Sequence, residues 1–162
     1  MATRSAIGYA TPEGKVRAKY CHYDGYVAGV GRTLQEHYQE ARKIAQLVEL
    51  GDQSTLYPEI FPTVKTHSFD TPQEGVSVFY GRDRGEDGVE AKEFDTVQEF
   101  VDHYIGAGCE YFYLHTVTGW VVHDRYVVYY NTKNATGHVV FKNLEVEVET
   151  AIKRLQADGH TV

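Results

Sequence analysis

The chain has 162 residues, 42% of them hydrophobic, and a formal net charge of −7 from 16 basic and 23 acidic side chains. This length suits a single domain, residues 1–162, that buries its core without disulfides or metals, and the acidic charge disfavours diffuse binding to nucleic acid or to anionic lipid. Two separated cysteines and the lack of an apolar run of the ~20 residues that a membrane span requires argue against a disulfide scaffold and a transmembrane protein, so we expect a cytoplasmic protein.

The N-terminal region predicts a β-hairpin. Residues 5–10 and 15–23 suit two strands, and the turn sequence Thr11-Pro12-Glu13-Gly14 separates them. In the second strand the side chains alternate between two faces. We expect one face to be buried in the core and the other, which carries Lys19, to be in water.

A helix is expected next, after a glycine-rich segment. Thr33 and Glu36 have the spacing of a capping box, in which each side chain satisfies a backbone N–H of the first turn. Apolar residues then recur at helical spacing, and Gly51 suits the position just after a helix. The pattern predicts one continuous helix that begins at Leu34 and ends before Gly51.

The middle of the chain predicts a long loop followed by a strand. Residues 52–75 contain prolines and scattered aromatic residues, and an ordered loop of this length is often functional. Two interpretations stay open: a lid over a site, or a loop fastened to the core by its own aromatic residues. Residues 76–80 predict a strand, and the charged run 81–88 follows it.

The remaining predicted elements complete an α+β fold. They are, in order, a helix capped by Asp95 with Gln98 or by Thr96 with Glu99, strands at 110–117 and 120–122, a strand at 126–130, a turn at 133–137, a strand at 139–141 and a helix capped by Asn143. We predict an antiparallel sheet, built from two hairpins plus a lone strand, with two or three helices packed on one face. The opposite face would be open for binding or for the contact of a homodimer.

The best candidate site lies at the exit of the first hairpin. Residues 20–33 combine a strand end, an Asp24-Gly25 turn and further glycines before a helix N-terminus, which favours anions. The predicted ligand-binding residues, which include two from the charged run, are Arg4, Ser5, Tyr20, His22, Asp24, Tyr26, Arg32, Arg82 and Arg84. The alternatives are a glycine loop that merely permits the turn and a charged run that neutralises itself in solvent.

The sequence lacks the motifs of the common enzyme classes. The segment ending in Gly31-Arg32-Thr33 lacks the first glycine and the lysine of a P-loop, and the histidines show no metal-binding spacing. His22 and Asp24 lie two residues apart on a strand and are a candidate acid–base pair. We therefore expect a protein without cofactor or metal, better suited to binding than to catalysis.

Several motifs resemble those of a family of small uncharacterised proteins from bacteriophages and prophages. They are Thr3-Arg4-Ser5-Ala6-Ile7-Gly8 (TRSxIG), Tyr20-Cys21-His22-Tyr23-Asp24-Gly25-Tyr26 (YCHxDGY), Gly29-Val30-Gly31-Arg32-Thr33-Leu34 (GVGxTL), Leu50-Gly51-Asp52, Arg82-Asp83-Arg84-Gly85-Glu86-Asp87 (RDRGED) and Glu110-Tyr111-Phe112-Tyr113-Leu114 with Trp120. The resemblance covers residues 3–124 and not the tail from Arg125. It implies a viral or mobile-element origin, hence the cytoplasm of a host cell, and carries no established activity or catalytic residues.

Viral accessory proteins of this size often act against host defence by binding. We expect a non-catalytic anti-defence protein that sequesters a small anionic ligand, a nucleotide second messenger, by means of arginines and stacking tyrosines. An alternative is an acidic inhibitor that imitates DNA and binds a host defence protein, with charge from Glu145, Glu147 and Glu149. A third is a small hydrolase that uses His22 and Asp24.

Overall fold

The computed structural model describes residues 2–126 and 139–159. Within them lie eight strands: β1 (Ser5–Ala10), β2 (Val16–Cys21), β3 (Gln53–Thr55), β4 (Val78–Phe79), β5 (Lys92–Phe94), β6 (Tyr111–Thr116), β7 (Gly119–Asp124) and β8 (Lys142–Asn143). The α-helices of the same residues are α1 (Arg32–His37), α2 (Ala41–Glu49), α3 (Tyr80–Arg84), α4 (Val97–Gly106) and α5 (Leu144–Ala157). A π-helical segment, Val27–Gly31, runs directly into α1.

The strands form one mixed sheet in the order β4-β3-β2-β1-β6-β7-β8, with β5 paired to β2. The fold is α+β as predicted, and the hairpins β1–β2 and β6–β7 are both antiparallel. The prediction of an antiparallel sheet is wrong, because β1 runs parallel to β6 and β2 runs parallel to β3. Helices lie between the members of both parallel pairs, so a crossover and not a tight turn sets the strand direction there.

Helices cover both faces of the sheet. On one face α1, α2 and α5 bury residues such as Leu34 and Leu144 against β1, β2, β6 and β7. On the other face α4 buries Phe100 against Ala18. The predictions that helices pack on one face and that one side of β2 meets water are therefore wrong; Lys19 is 0% exposed. When helices cover both faces of a sheet, the side chains on both faces of a strand are buried. Apolar and polar residues then need not alternate along the strand.

The helix predicted from Leu34 is two helices, α1 and α2. The backbone leaves the helical conformation at Tyr38, with φ −126° and ψ 70°. The Tyr38 hydroxyl donates to the carbonyl of Tyr57 at 2.6 Å, and the Trp120 indole N–H donates to the carbonyl of Tyr38 at 2.7 Å. These tertiary bonds hold Tyr38 out of the helical path. Thr33 is not an N-cap, since the π-helical segment precedes it.

Two other predicted caps are confirmed. Thr96 Oγ1 accepts from the backbone N–H of Glu99 at 3.1 Å and so begins α4. Asn143 Oδ1 accepts from the N–H of Val146 at 3.1 Å and so begins α5. Both are local bonds within one turn of chain, which explains why spacing alone predicts them.

The remaining predictions differ in their outcomes. The lone strand at 76–80 is β4, and the charged run after it begins as helix α3. The strand expected at 139–141 is replaced by β8, which begins at Lys142. The strand predicted at 126–130, beyond Tyr126, and the turn at 133–137 lie outside the described residues. No helix in the described part of the chain combines the length and apolar character that crossing a bilayer needs.

Candidate ligand-binding face of the sheet

The end of β2 places two predicted ligand residues side by side. Tyr20 and His22 point to the face that α4 covers, where α4 buries Val16 and Ala18 but leaves Tyr20 and His22 half-buried. The backbone N–H of His22 donates to the carbonyl of Gln53 at 3.0 Å, which continues the pairing of β2 with β3. The sheet therefore fixes the backbone from which both side chains project.

Tyr20 and His22 form a hydrogen-bonded pair. The Tyr20 hydroxyl lies 2.7 Å from His22 Nδ1, and their ring centroids are 5.9 Å apart. Partial burial raises the pKa of Tyr20 to about 12, although the nearby Arg4 guanidinium opposes this shift. Burial and the positive charge of Arg4 both lower the pKa of His22. The pair is thus neutral near pH 7 and offers aromatic rings beside one exposed cation.

Two more tyrosines extend this surface. The ring of Tyr23 meets that of His22 edge-on at 4.5 Å and is 45% exposed. Tyr80, at the start of α3, is close enough to Tyr20 to raise its pKa. We call these four residues, Tyr20, His22, Tyr23 and Tyr80, the aromatic patch.

An arginine stands at each margin of the aromatic patch. At one margin the Arg84 guanidinium lies 4.9 Å from the ring centroid of Tyr80 and 4.3 Å from that of Phe69, and its Nε donates to Glu86 at 2.9 Å. At the other, the Arg4 side chain lies over Gly108, where an added Cβ would come within 2.6 Å of Nη1. The bare backbone of Gly108 thus provides the space for Arg4 beside the patch.

Asp52 supports the patch from below, and its role was not predicted. The Asp52 side-chain Oδ1 accepts from the backbone N–H of Tyr20 at 3.0 Å. The Asp52 backbone carbonyl accepts from the backbone N–H of Tyr80 at 3.2 Å. Burial raises the pKa of the Asp52 carboxyl, while the Tyr20 N–H opposes the shift. One residue thereby joins the backbones that carry two patch tyrosines. Its position directly after Gly51, at the end of a helix, is the signal in the sequence that indicates a chain reversal there.

Arg82 has a structural role, unlike its neighbour Arg84. Its guanidinium donates to the carbonyl of Ile60 at 2.6 Å and to that of Ser77 at 3.0 Å, and it pairs with Asp83 at 2.9 Å. Burial alone would raise the pKa of Asp83, but hydrogen bonds from Arg82, the Phe79 N–H and His67 lower it. These bonds fasten the loop after β3 to α3 through an arginine and backbone carbonyls. The predicted fastening by the loop's own aromatic residues does not describe Tyr57 and Phe61, which are 44% and 55% exposed.

The other predicted ligand residues lie away from the patch. Arg32 is on α1, on the opposite face of the sheet, and forms an ion pair with Glu36 at 3.1 Å. Ser5 is fully buried next to Gly25, where it contacts no ligand-accessible surface. Tyr26 lines a cavity beside α5 on the α1 face. Tyr20 and His22 are thus in direct contact and feel the charge of Arg4, Arg84 contacts Tyr80, and Arg32, Ser5 and Tyr26 lie elsewhere.

Asp24 occupies the turn between the patch and the π-helical segment. Its φ of 59° is left-handed, which is uncommon for a residue with a side chain. Its carbonyl accepts from the N–H of Val30 at 2.8 Å, and Gly25 N–H donates to the carbonyl of Thr3 at 2.8 Å. Gly25 has no room for a side chain, since an added Cβ would lie 2.7 Å from the Thr3 carbonyl oxygen. The turn is held from both sides.

The geometry does not assemble the acid–base pair of His22 and Asp24. Within the described residues, the side chain that hydrogen-bonds to His22 Nδ1 is Tyr20 and not Asp24. No group of three or more histidine, cysteine or acidic side chains is placed to hold a metal ion within residues 2–126 and 139–159. The arrangement suits stacking and anion contacts.

Comparisons with protein-family models, with curated proteins and with solved structures find no match.

Proposed function

We propose that the protein binds a small anionic ligand that carries a flat ring, a nucleotide, on the aromatic patch. The observation that carries this proposal is the hydrogen-bonded Tyr20–His22 pair, whose pKa values the exposed Arg4 guanidinium lowers. Aromatic side chains stack on any nucleobase, and a guanidinium forms paired hydrogen bonds to a phosphate. Both elements of nucleotide recognition therefore stand on one face of the sheet.

The charges around the patch support an anionic ligand despite the acidic protein. Ion pairs of the described residues engage Arg17, Arg32, Arg82 and Arg84, and Arg4 takes part in none of them. The carboxylate beneath the patch, Asp52, already accepts from a backbone N–H. A phosphate approaching Arg4 would thus gain a cation that has no acidic partner to displace among residues 2–126 and 139–159.

The biological proposal is sequestration of a nucleotide second messenger during infection of a bacterial host by a phage. The neutral His22 is engaged by Tyr20 and lacks a carboxylate partner among the described residues, which supports holding a ligand over hydrolysing it. Turnover is the rival outcome. Recovery of intact nucleotide after prolonged incubation would support sequestration, and conversion that is lost in H22A would support the hydrolase instead.

The decisive test is a thermal-shift and calorimetric titration with cyclic mononucleotides, cyclic dinucleotides and ADP-ribose-type nucleotides. We expect one class to raise the melting temperature of the wild type, and R4Q to weaken binding by about tenfold or more, since a charge-assisted bond is lost. R32Q is the matched control, because Arg32 lies on the opposite face. No shift across the panel, or equal weakening in both variants, would refute the proposal.

A second candidate function is inhibition of a host protein through α5. Val146 is 58% exposed on this helix, and the exposed Glu145 and Glu149 flank it. An apolar side chain between carboxylates complements a basic protein surface that carries an apolar spot. Capture of a host polypeptide that depends on Glu145 and Glu149 would favour this function, whereas release of a small molecule on denaturation would favour the first.

A further inference from the structure

A groove on the opposite face of the sheet from the aromatic patch is independent of the proposed nucleotide site. A cavity of about 410 Å³ lies between the π-helical segment, the ends of β6 and β7, and α5. A smaller cavity of about 60 Å³ shares Val27, Asp124, Lys142 and Glu147 with it. The two cavities therefore form one groove, and we call the smaller cavity the inner end of this groove.

The inner end of the groove is lined by three valines and three charged side chains. The valines are Val27, Val122 and Val140; Val122 is 4% exposed and Val140 is 45% exposed. At its mouth Lys142 pairs with Glu147 at 3.8 Å, so these two charges offset each other. Asp124 lines both cavities, and its Oδ1 accepts from the N–H of Tyr126 at 2.9 Å. Asp124 thus places a net negative charge at this end.

Two tyrosines lie near the Asp124 end of the groove. Tyr111 pairs with Asp124 across β6 and β7, and Tyr26 lines the same cavity from the π-helical segment. Burial raises the pKa of Tyr111, and the negative charge of Asp124 raises it further. A carboxylate beside phenol rings is an environment that favours an ammonium group, through an ion pair and cation–π attraction.

The outer end of the groove carries the opposite charge. Arg154 lies in the last turn of α5, is exposed, and lines the larger cavity with Leu155 and Ala151. It follows Glu147 by seven residues on one helix, which corresponds to about 10 Å along the axis. An extended chain of three residues spans about 10 Å. Glu147 lines both cavities together with Asp124, so the Asp124 end and the Arg154 end lie about the length of a tripeptide apart along the helix axis.

We propose that this groove binds a short free peptide of about three residues. Its N-terminal ammonium pairs with Asp124, its C-terminal carboxylate pairs with Arg154, and an aliphatic side chain at its first residue enters the end lined by Val27, Val122 and Val140. A chain terminus of a larger protein does not meet this description, because it offers one of the two charged ends and not both.

Calorimetric titration of the full chain with leucyl-glycyl-glycine tests the proposal. We expect saturable binding, a loss of about tenfold or more for the N-acetylated and the C-amidated peptides, and a similar loss for triglycine, which lacks the aliphatic side chain. D124N and R154Q should each weaken binding of the free peptide by about tenfold or more. K153Q, a charge change on the neighbouring exposed residue outside the cavity lining, is the control and should bind as the wild type does.

The outcomes separate clearly. Absence of binding at millimolar peptide, equal binding of the acetylated or amidated peptide, or unchanged binding by both D124N and R154Q would overturn the proposal. Melting temperatures of the variants without peptide check that they fold. T150W adds a further arm, since Thr150 is exposed on α5 and lines the groove. A tryptophan there should fill the groove and abolish binding without a change in charge.

Discussion

The buried Lys19 predicts an unusual dependence of stability on pH. Its side chain is 0% exposed, its Nζ donates to the carbonyl of Leu47 at 2.6 Å, and Nζ lies 4.5 Å from the ring centroid of Phe79. Burial lowers the pKa of this amine well below its ordinary value; Cys21 and Asp52 oppose the shift, and the Arg82 charge adds to it. The folded protein therefore releases this proton at a lower pH than the unfolded chain does.

The sign and the size of the effect follow from proton linkage. Between the lowered folded pKa and the unfolded pKa of about 10.4, the unfolded chain holds one more proton at Lys19 than the folded protein. The free energy of unfolding contributed by Lys19 therefore rises with pH by up to about 1.4 kcal/mol per pH unit in that window. This contribution is complete above the unfolded pKa, and it falls away as the pH decreases towards the folded pKa.

Denaturant unfolding of the wild type and K19M at several pH values from neutral to alkaline measures this contribution. Methionine keeps much of the length of lysine and cannot titrate, so the difference between the two proteins reports Lys19 together with its lowering effect on the pKa of the Cys21 thiol. The comparison is needed because burial raises the pKa of Cys109 to about 12, which lowers stability as the unfolded thiol ionises. K65M, at an exposed residue, is the control. Parallel pH profiles for wild type and K19M would refute the reasoning.

Three further predictions concern the backbone. N143A should destabilise the protein by about 1 kcal/mol, since α5 loses its N-cap; urea unfolding measures this, with N143D as the variant that should keep the cap. G51A should cost more than about 1 kcal/mol, because the residue has φ +83° and an added Cβ would lie 2.3 Å from the carbonyl oxygen of Val89; an unchanged midpoint would contradict it. R82M should increase proteolytic cleavage between residues 56 and 77, since it loses its bond to Ile60, whereas R32M, at an arginine of α1 that pairs with Glu36, should not.

Local features of the fold were predictable from the sequence, and long-range features were not. The caps at Thr96 and Asn143 depend on bonds within four residues, so spacing determines them. The break at Tyr38 depends on a bond from Trp120, which lies 82 residues away. The apolar spacing of residues 34–48 therefore could not predict that the helix breaks at Tyr38. The parallel pairing of β1 with β6 was unpredictable for the same reason, because it joins segments that are distant in the sequence.

The candidate site shows the same division. Tyr20 and His22 share a face because strand side chains alternate, and this was predictable. Placing Arg4 beside them requires the position of Gly108 after α4. The charged run predicted equivalent roles for Arg82 and Arg84, but α3 turns Arg82 towards the loop carbonyls and Arg84 towards the aromatic rings. Neighbouring residues on a short helix point in different directions, so composition alone cannot assign their roles.

The Asp24-Gly25 turn connects the two proposed sites physically. It follows His22 and Tyr23 of the aromatic patch and leads directly into Tyr26, which lines the groove on the other face. The Tyr113 hydroxyl donates to the carbonyl of Gly25 at 2.6 Å, so a buried core residue holds the turn in place. A turn fixed in this way transmits little displacement, and the two ligands should bind with additive free energies. Measurable coupling between nucleotide and peptide would instead require this turn to move, and Y113F, which removes its anchor, should then change the coupling.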